Sequence, residues 1–377
     1  VEINHTKLKK SLLKSYATKR PLFVAGTTGI GKSYTIKRVA EWIAKKENRK
    51  FVEWNKISDK EKLAFEESKV KREDSFLFCD IRISQLDPSD LRGLPKLNGK
   101  DYVEWKPSLL FRIMSSDGTN GILFFDELNL APPSVQAAAY QIILDKAIGE
   151  LSINPAVCII GAGNRLEDKA NVFEMAAPLK NRFTHVTLGI PTHEEWVDWA
   201  LENKVDDKII SFIQFKPSLM MADINKLKDM KSSAFASPRS WEFCSDLIAG
   251  ETVLEDIEQY TSSCVGDGVA IEFKAFIKLK DKIDLDSILK NPEQCKNLDL
   301  DMKWSLTSAI SEKYRANKKI LNQALDVCNH LEPDFGASLL RMLKRQDEKH
   351  FSKNVIKCKN WKEIANKFGK YIRNNEG

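Results

Sequence analysis

Apolar residues follow two rhythms in the first half of the chain, and the rhythm changes where glycines fall. Short unbroken apolar runs predict buried strands over 21–25, 75–81, 121–125, 156–161 and 184–188. Between them apolar positions recur every three or four residues, as in helices that cover a sheet. One such helix leads in over 3–18, and another places Ile36, Val39, Ala40 and Ile43 on one face. Strand and helix patterns in alternation predict an α/β fold with a parallel five-stranded sheet covered on both faces. After Pro191 the strand pattern stops. "THEEWVDWALENK" opens on Thr192 with Glu195 three residues later, a capping box, and helical spacing continues to about residue 278. Residues 279–377 are also helical in pattern, broken near Pro292 and at "LEPDFG". The expected organisation is an αβα domain over 1–190, a small helical domain over 191–278 and a helical C-terminal region over 279–377. The charge-dense run "EWNKISDKEKLAFEESKVKREDS" reads as a solvated insertion, with docking of a partner as the lesser alternative.

Composition changes this picture little. The 377 residues, 42% of them hydrophobic, can fill two or three cores. Lys plus Arg (59) exceed Asp plus Glu (53) by six, an excess too mild to require nucleic acid. It concentrates at the end: from Arg341 onward there are eleven basic and four acidic residues. There Met342, Leu343, Phe351, Val355, Ile356, Trp361, Ile364, Phe368 and Tyr371 alternate with Lys and Arg as in an amphipathic helical pair. Two readings stay open for it, a solvated lysine face or a docking surface for an acidic partner. Seven cysteines form no C-x-x-C pair and leave an odd one over, which argues for a reducing compartment, small core residues and no zinc site. No charged-then-apolar leader is present and no apolar run approaches about 18 residues, so a soluble, cytoplasmic protein is expected. The sequence begins on Val1, which leaves room for a start Met or an upstream segment before it.

The chemistry gathers at the ends of the predicted strands. Gly26-Thr27-Thr28-Gly29-Ile30-Gly31-Lys32-Ser33 fits G-x-x-x-x-G-K-[ST], the phosphate-binding loop, between an apolar run and an amphipathic helix. Glycines let backbone N–H groups curl around a phosphate at the positive end of a helix. Lys32 then neutralises the β/γ-phosphates and the Ser33 hydroxyl ligates Mg²⁺. With Tyr34 following, these residues form the expected nucleotide-binding set. Ile122 to Phe125 deliver Asp126 and Glu127 to a strand end, where ligands of open α/β sheets bind. In this Walker B pattern Asp126 holds Mg²⁺, mainly through water, and Glu127 orients the attacking water. "AVCIIGAGNR" ends another buried strand at Asn164, whose neutral amide can hydrogen-bond both water and γ-phosphate or simply cap a turn. None of the five histidines stands in H-E-x-x-H, His185 falls inside a strand, and no Ser or Cys has a plausible nearby base, so covalent catalysis is not expected.

The order of phosphate loop, Asp-Glu strand end, strand-terminal Asn, "LKNRF" and "SPRSW" resembles the AAA+ ATPases, most closely the MoxR-like branch, over about residues 3–280. "DIRISQLDPSDLRGLP" and "LDKAIGELSINPAVCIIGAGNR" carry the finer likeness. The resemblance implies an ATP- and Mg²⁺-dependent ring, a hexamer, that remodels another protein and often works with a von Willebrand factor A-domain partner. It makes Asn164 the first sensor, Arg182 the arginine finger that reaches a neighbouring subunit's nucleotide, and Arg239 the second sensor in a helical lid. A surface salt bridge is the plainer reading of either arginine. The resemblance also places an insertion at "LRGLPKLNGKDYVEWKPSLLFRIMSSD", whose Leu94, Leu97, Tyr102 or Trp105 either touch a substrate in a pore or pack on their own subunit, and a hairpin at "KAIGELSI". Two other functions stay open: a nucleic-acid or restriction-type motor, and a nucleotide-gated scaffold.

Overall fold

The computed structural model describes residues 2–99, 102–165, 173–223 and 234–372. They divide into two compact units, 1–190 and 191–377. The first is built on a parallel sheet of seven strands: β1 (Glu2–Ile3), β2 (Leu22–Gly26), β3 (Lys50–Glu53), β4 (Ser75–Arg82), β7 (Gly121–Asp126), β10 (Val157–Gly163) and β11 (Thr184–Leu188). Two antiparallel hairpins stand apart from it, β5 (Leu94–Asn98) with β6 (Tyr102–Lys106), and β8 (Ala147–Ile148) with β9 (Leu151–Ser152). The order across the sheet is β1-β11-β2-β10-β7-β4-β3.

Five strands were expected, and the two extra ones lie at the sheet's edges. β1 is two residues long and pairs with Thr187 and Leu188. β3 has one fully buried position, Val52, so neither edge strand shows a run that periodicity could detect. Inner strands are buried on both faces, as parallel sheets require. Phe76, Phe78, Ile122, Phe124, Cys158 and Ile160 pack with the helices His5–Thr18 and Lys32–Lys46 on one side. Leu77, Cys79, Leu123, Phe125 and Ile159 pack with the helix Pro133–Asp145 on the other.

The charge-dense insertion is not simply solvated. Trp54 and Phe65 are buried in the unit's core with their rings edge to face, and Ser58 and Glu61 form a capping box for the helix Asp59–Glu66. Its charges occupy the outer positions of a short packed helix. On the β5–β6 hairpin Leu94, Leu97 and Trp105 are exposed, Leu97 at 77%. The side chains of Tyr102 and Tyr371 lie outside the described ones. "KAIGELSI" forms the β8–β9 hairpin. All seven cysteines are free, and no helix among the described residues is long and apolar enough to cross a membrane.

The second unit is helical. Thr192 and Glu195 form the capping box that opens the helix His193–Glu202. One continuous core joins Trp196, Phe212, Trp241 and Phe273 to Leu306, Tyr314, Leu325, Leu340, Phe351 and Phe368, so the packing runs through residue 278, where a boundary was expected. The apolar residues of the basic tail face this core: Met342, Leu343, Phe351, Val355, Ile364 and Phe368 are buried, and Ile356 is exposed. A buried polar knot ties the tail to the start of the unit. Arg345 Nη2 donates to Asp207 Oδ1, while Ser311 Oγ and Gln346 Nε2 donate to Oδ2 at 2.7 and 2.6 Å. Arg345 also donates to the Val205 carbonyl at 2.7 Å. Because Asp207 is 4% exposed, Arg345→Ala strands a carboxylate and should destabilise this unit by about 3–5 kcal/mol. A lowered denaturant midpoint for the unit's unfolding is the expected result; an unchanged midpoint would refute it.

Candidate active site

The loop after β2 is shaped by backbone that other residues resist. Gly31, the N-cap of the helix Lys32–Lys46, has φ of 87°, where a side chain would be strained. Ile30 is buried beneath the loop, and His5 Nε2 donates to its carbonyl at 2.9 Å, so the first residue of the leading helix braces the loop. Lys32 Nζ donates to the carbonyls of Gly26 and Thr27 at 2.6 and 2.9 Å and reaches Asn164 Oδ1 at 3.4 Å. The ammonium therefore lies over the mouth of the loop. Thr28 Oγ1 also reaches Asn164 Oδ1 at 3.4 Å. Tyr34 is 37% exposed on the first turn of the helix.

β7 and β10 complete the site from the same edge. β10 lies between β2 and β7, all parallel, so their C-terminal ends face one way. Ser33 Oγ donates to Asp126 Oδ2 at 2.6 Å, bringing the two expected metal ligands into direct contact. A hydroxyl and a carboxylate are hard oxygen donors of the kind Mg²⁺ accepts, so these residues fit that ion. Glu127 has φ of 56°, left-handed for a residue with a β-carbon, at a cost of about 1–3 kcal/mol. Its N–H donates to Asp126 Oδ1 at 2.9 Å, and its Oε2 accepts from Ser84 Oγ. Asp80, nearby on β4, has its carboxyl pushed up to about 6 by burial and by the charge of Asp126.

Arg182 stands away from this cluster. It is exposed just ahead of β11, where Thr184 pairs with Leu22 at the start of β2. The loop begins four residues further along β2, roughly 13 Å at strand rise, beyond the reach of an arginine toward its own loop. Arg239 belongs to the second unit, exposed in the first turn of the helix Pro238–Leu247. His185 is exposed on β11, and its Nε2 donates to the Lys180 carbonyl.

Three side chains at the site were not singled out from the sequence. Asn129, 5% exposed, donates through Nδ2 to the Asn164 carbonyl at 2.7 Å and accepts the Asn164 N–H at 3.1 Å, clamping that backbone from both sides. Gly163 permits the approach, since a β-carbon there would lie 2.0 Å from Asn129 Oδ1. Ser84 holds Glu127, and Arg165 Nη2 donates to Thr27 Oγ1 at 2.7 Å. Asn129 carries the one usable sequence signal, a polar residue between Leu128 and Leu130 in a segment that must be buried.

Fold and site together define a phosphate-loop α/β protein with a helical second half. No family model matches the chain. The canine (Canis lupus familiaris) protein solute carrier family 15 member 1 is 30% identical over 92 residues, 22% of this chain, and the chain spans 13% of that protein's length. Among solved structures, a putative ATPase from Cytophaga hutchinsonii is similar at 16% identity and a TM-score of 0.32, covering 69% of this chain and 80% of that one. NtrX from Brucella abortus is 12% identical at 0.36, covering 97% and 67%. A RuvB mutant from Thermotoga maritima is 14% identical at 0.31, covering 76% and 73%. Likenesses this distant carry no argument about function.

Proposed function

We propose that this protein is a Mg²⁺-dependent ATPase of the MoxR-like AAA+ kind, a homo-oligomeric ring, hexameric by resemblance, that uses hydrolysis to remodel a partner protein. The observation that carries the ATPase part is the convergence of Lys32, Ser33, Asp126, Glu127 and Asn164 at one sheet edge, with Ser33 and Asp126 2.6 Å apart. Loop N–H groups and Lys32 bind the triphosphate. Ser33 and Asp126 would hold Mg²⁺, which when bound offsets charge on the β- and γ-oxygens. Glu127 accepts a hydrogen bond from the attacking water and polarises it, while the Asn164 amide fixes that water against the γ-phosphate without adding charge. The Ser84 hydroxyl donates to the Glu127 carboxylate and orients it. Ring formation, Arg182 as finger, Arg239 as lid sensor and a von Willebrand factor A-domain partner rest on the resemblance of the motif series.

The test compares nucleotide binding and ATPase rate per chain, over a range of protein concentrations, for wild type and Lys32→Ala. Lys32→Ala should bind ATP about 10- to 100-fold more weakly, the loss of a charge-assisted contact. The wild-type rate should rise as the chains assemble. A wild-type protein that binds no nucleotide sinks the proposal.

A further inference from the structure

We propose that Arg165 recognises the terminal phosphate from within its own chain, so that the preference for a nucleoside triphosphate over a diphosphate depends on a guanidinium at the end of β10. The inference rests on the reading of the loop as a nucleotide site and adds to it a residue outside the phosphate-loop motif.

A contact to the loop locates the guanidinium. Arg165 Nη2 donates to Thr27 Oγ1 at 2.7 Å, and Thr27 is 4% exposed. The carbonyl of that same Thr27 accepts from Lys32 Nζ, and a phosphate-loop lysine marks where the β- and γ-phosphates lie. Arg165 also directly follows Asn164, whose Oδ1 is 3.4 Å from Lys32 Nζ. Lysine, loop carbonyl and strand-end amide thus meet, and Arg165 bonds the side chain of the residue that supplies that carbonyl and follows the amide in sequence. Arg165 and Asn164 also line a cleft of 800 Å³ with Phe23, Ala25, Asn129 and His185, so the guanidinium borders open space beside β2 and β11.

The chemistry suits an arginine. Its planar fork offers paired donors to two oxygens of one phosphate, which a lysine does not. The bond to Thr27 orients the fork before any ligand arrives, so less freedom is lost on binding. A diphosphate lacks the group the fork meets. This role differs from that expected of Arg182, which stands at the opposite end of the strands and cannot reach its own loop. One arginine would report the nucleotide within the chain, the other across an interface.

Titration of fluorescent ATP and ADP analogues into wild type, Arg165→Ala, Arg165→Gln and Thr27→Val tests this. Arg165→Ala should weaken ATP about 10- to 100-fold and leave ADP within about twofold, collapsing the ratio of the two affinities. Arg165→Gln keeps a donor toward Thr27 without the charge, so it should show the same collapse even where alanine disturbs folding. Thr27→Val should lower the ratio in part, and adding it to Arg165→Ala should cost little more. Equal weakening of both nucleotides, or an unchanged ratio in both Arg165 variants, would overturn the inference and leave the loop reading intact. A wild-type protein that binds neither nucleotide would end both.

Discussion

On the proposed ring-ATPase reading, Arg182→Ala should lower the ATPase rate of the assembled protein by about 10³–10⁵, the usual contribution of an arginine supplied to a γ-phosphate in transition, while each chain should still bind nucleotide. The expectation follows from where the side chain stands. Arg182 is exposed, ahead of a strand that starts beside Leu22, and the loop lies at the far end of that strand. Its charge therefore acts on a nucleotide held by another copy or not at all. Mixing decides between these. Chains carrying Arg182→Ala but an intact loop, combined with chains carrying Lys32→Ala and an intact Arg182, should recover measurable activity, because each supplies what the other lacks. Wild-type rates in Arg182→Ala alone would remove the finger assignment, and the ring would lose its chief physical argument.

Glu127→Gln is the second large effect. The amide keeps the size and the hydrogen-bonding reach of the carboxylate but cannot polarise water, so turnover should fall by about 10²–10⁴ with ATP affinity within a few-fold of wild type. Local structure makes this a clean test. Glu127 is held in a left-handed conformation by its N–H bond to Asp126 and its side-chain bond from Ser84, and glutamine can still accept from that hydroxyl. A trapped ATP complex, seen as tight binding without phosphate release, is the signature to look for. Undiminished turnover would mean that the water is activated elsewhere, and Glu127 would be only a strand-end residue under strain.

What the sequence determined is local. A phosphate loop is eight consecutive residues between a strand and a helix, and its glycines, lysine and serine are recognisable because neighbours in the chain must be neighbours at the phosphate. The same holds for Asp126 and Glu127 at the end of an unbroken apolar run, for Asn164 at the end of another, and for the Thr192–Glu195 cap, a contact three residues apart. Only the tertiary structure could decide the rest, because those contacts join distant segments. Asn129 meets Asn164 across 35 residues, Ser84 meets Glu127 across 43, and Arg165 meets Thr27 across 138. Edge strands as short as Glu2–Ile3 have no period to read and exist because a neighbour offers free backbone groups. Trp54 and Phe65 looked solvated among their charges until the sheet supplied an apolar surface to cover. The packing likewise runs across the boundary expected near residue 278: helices before and after it share one core, and Asp207 has its charged partner in Arg345, 138 positions away.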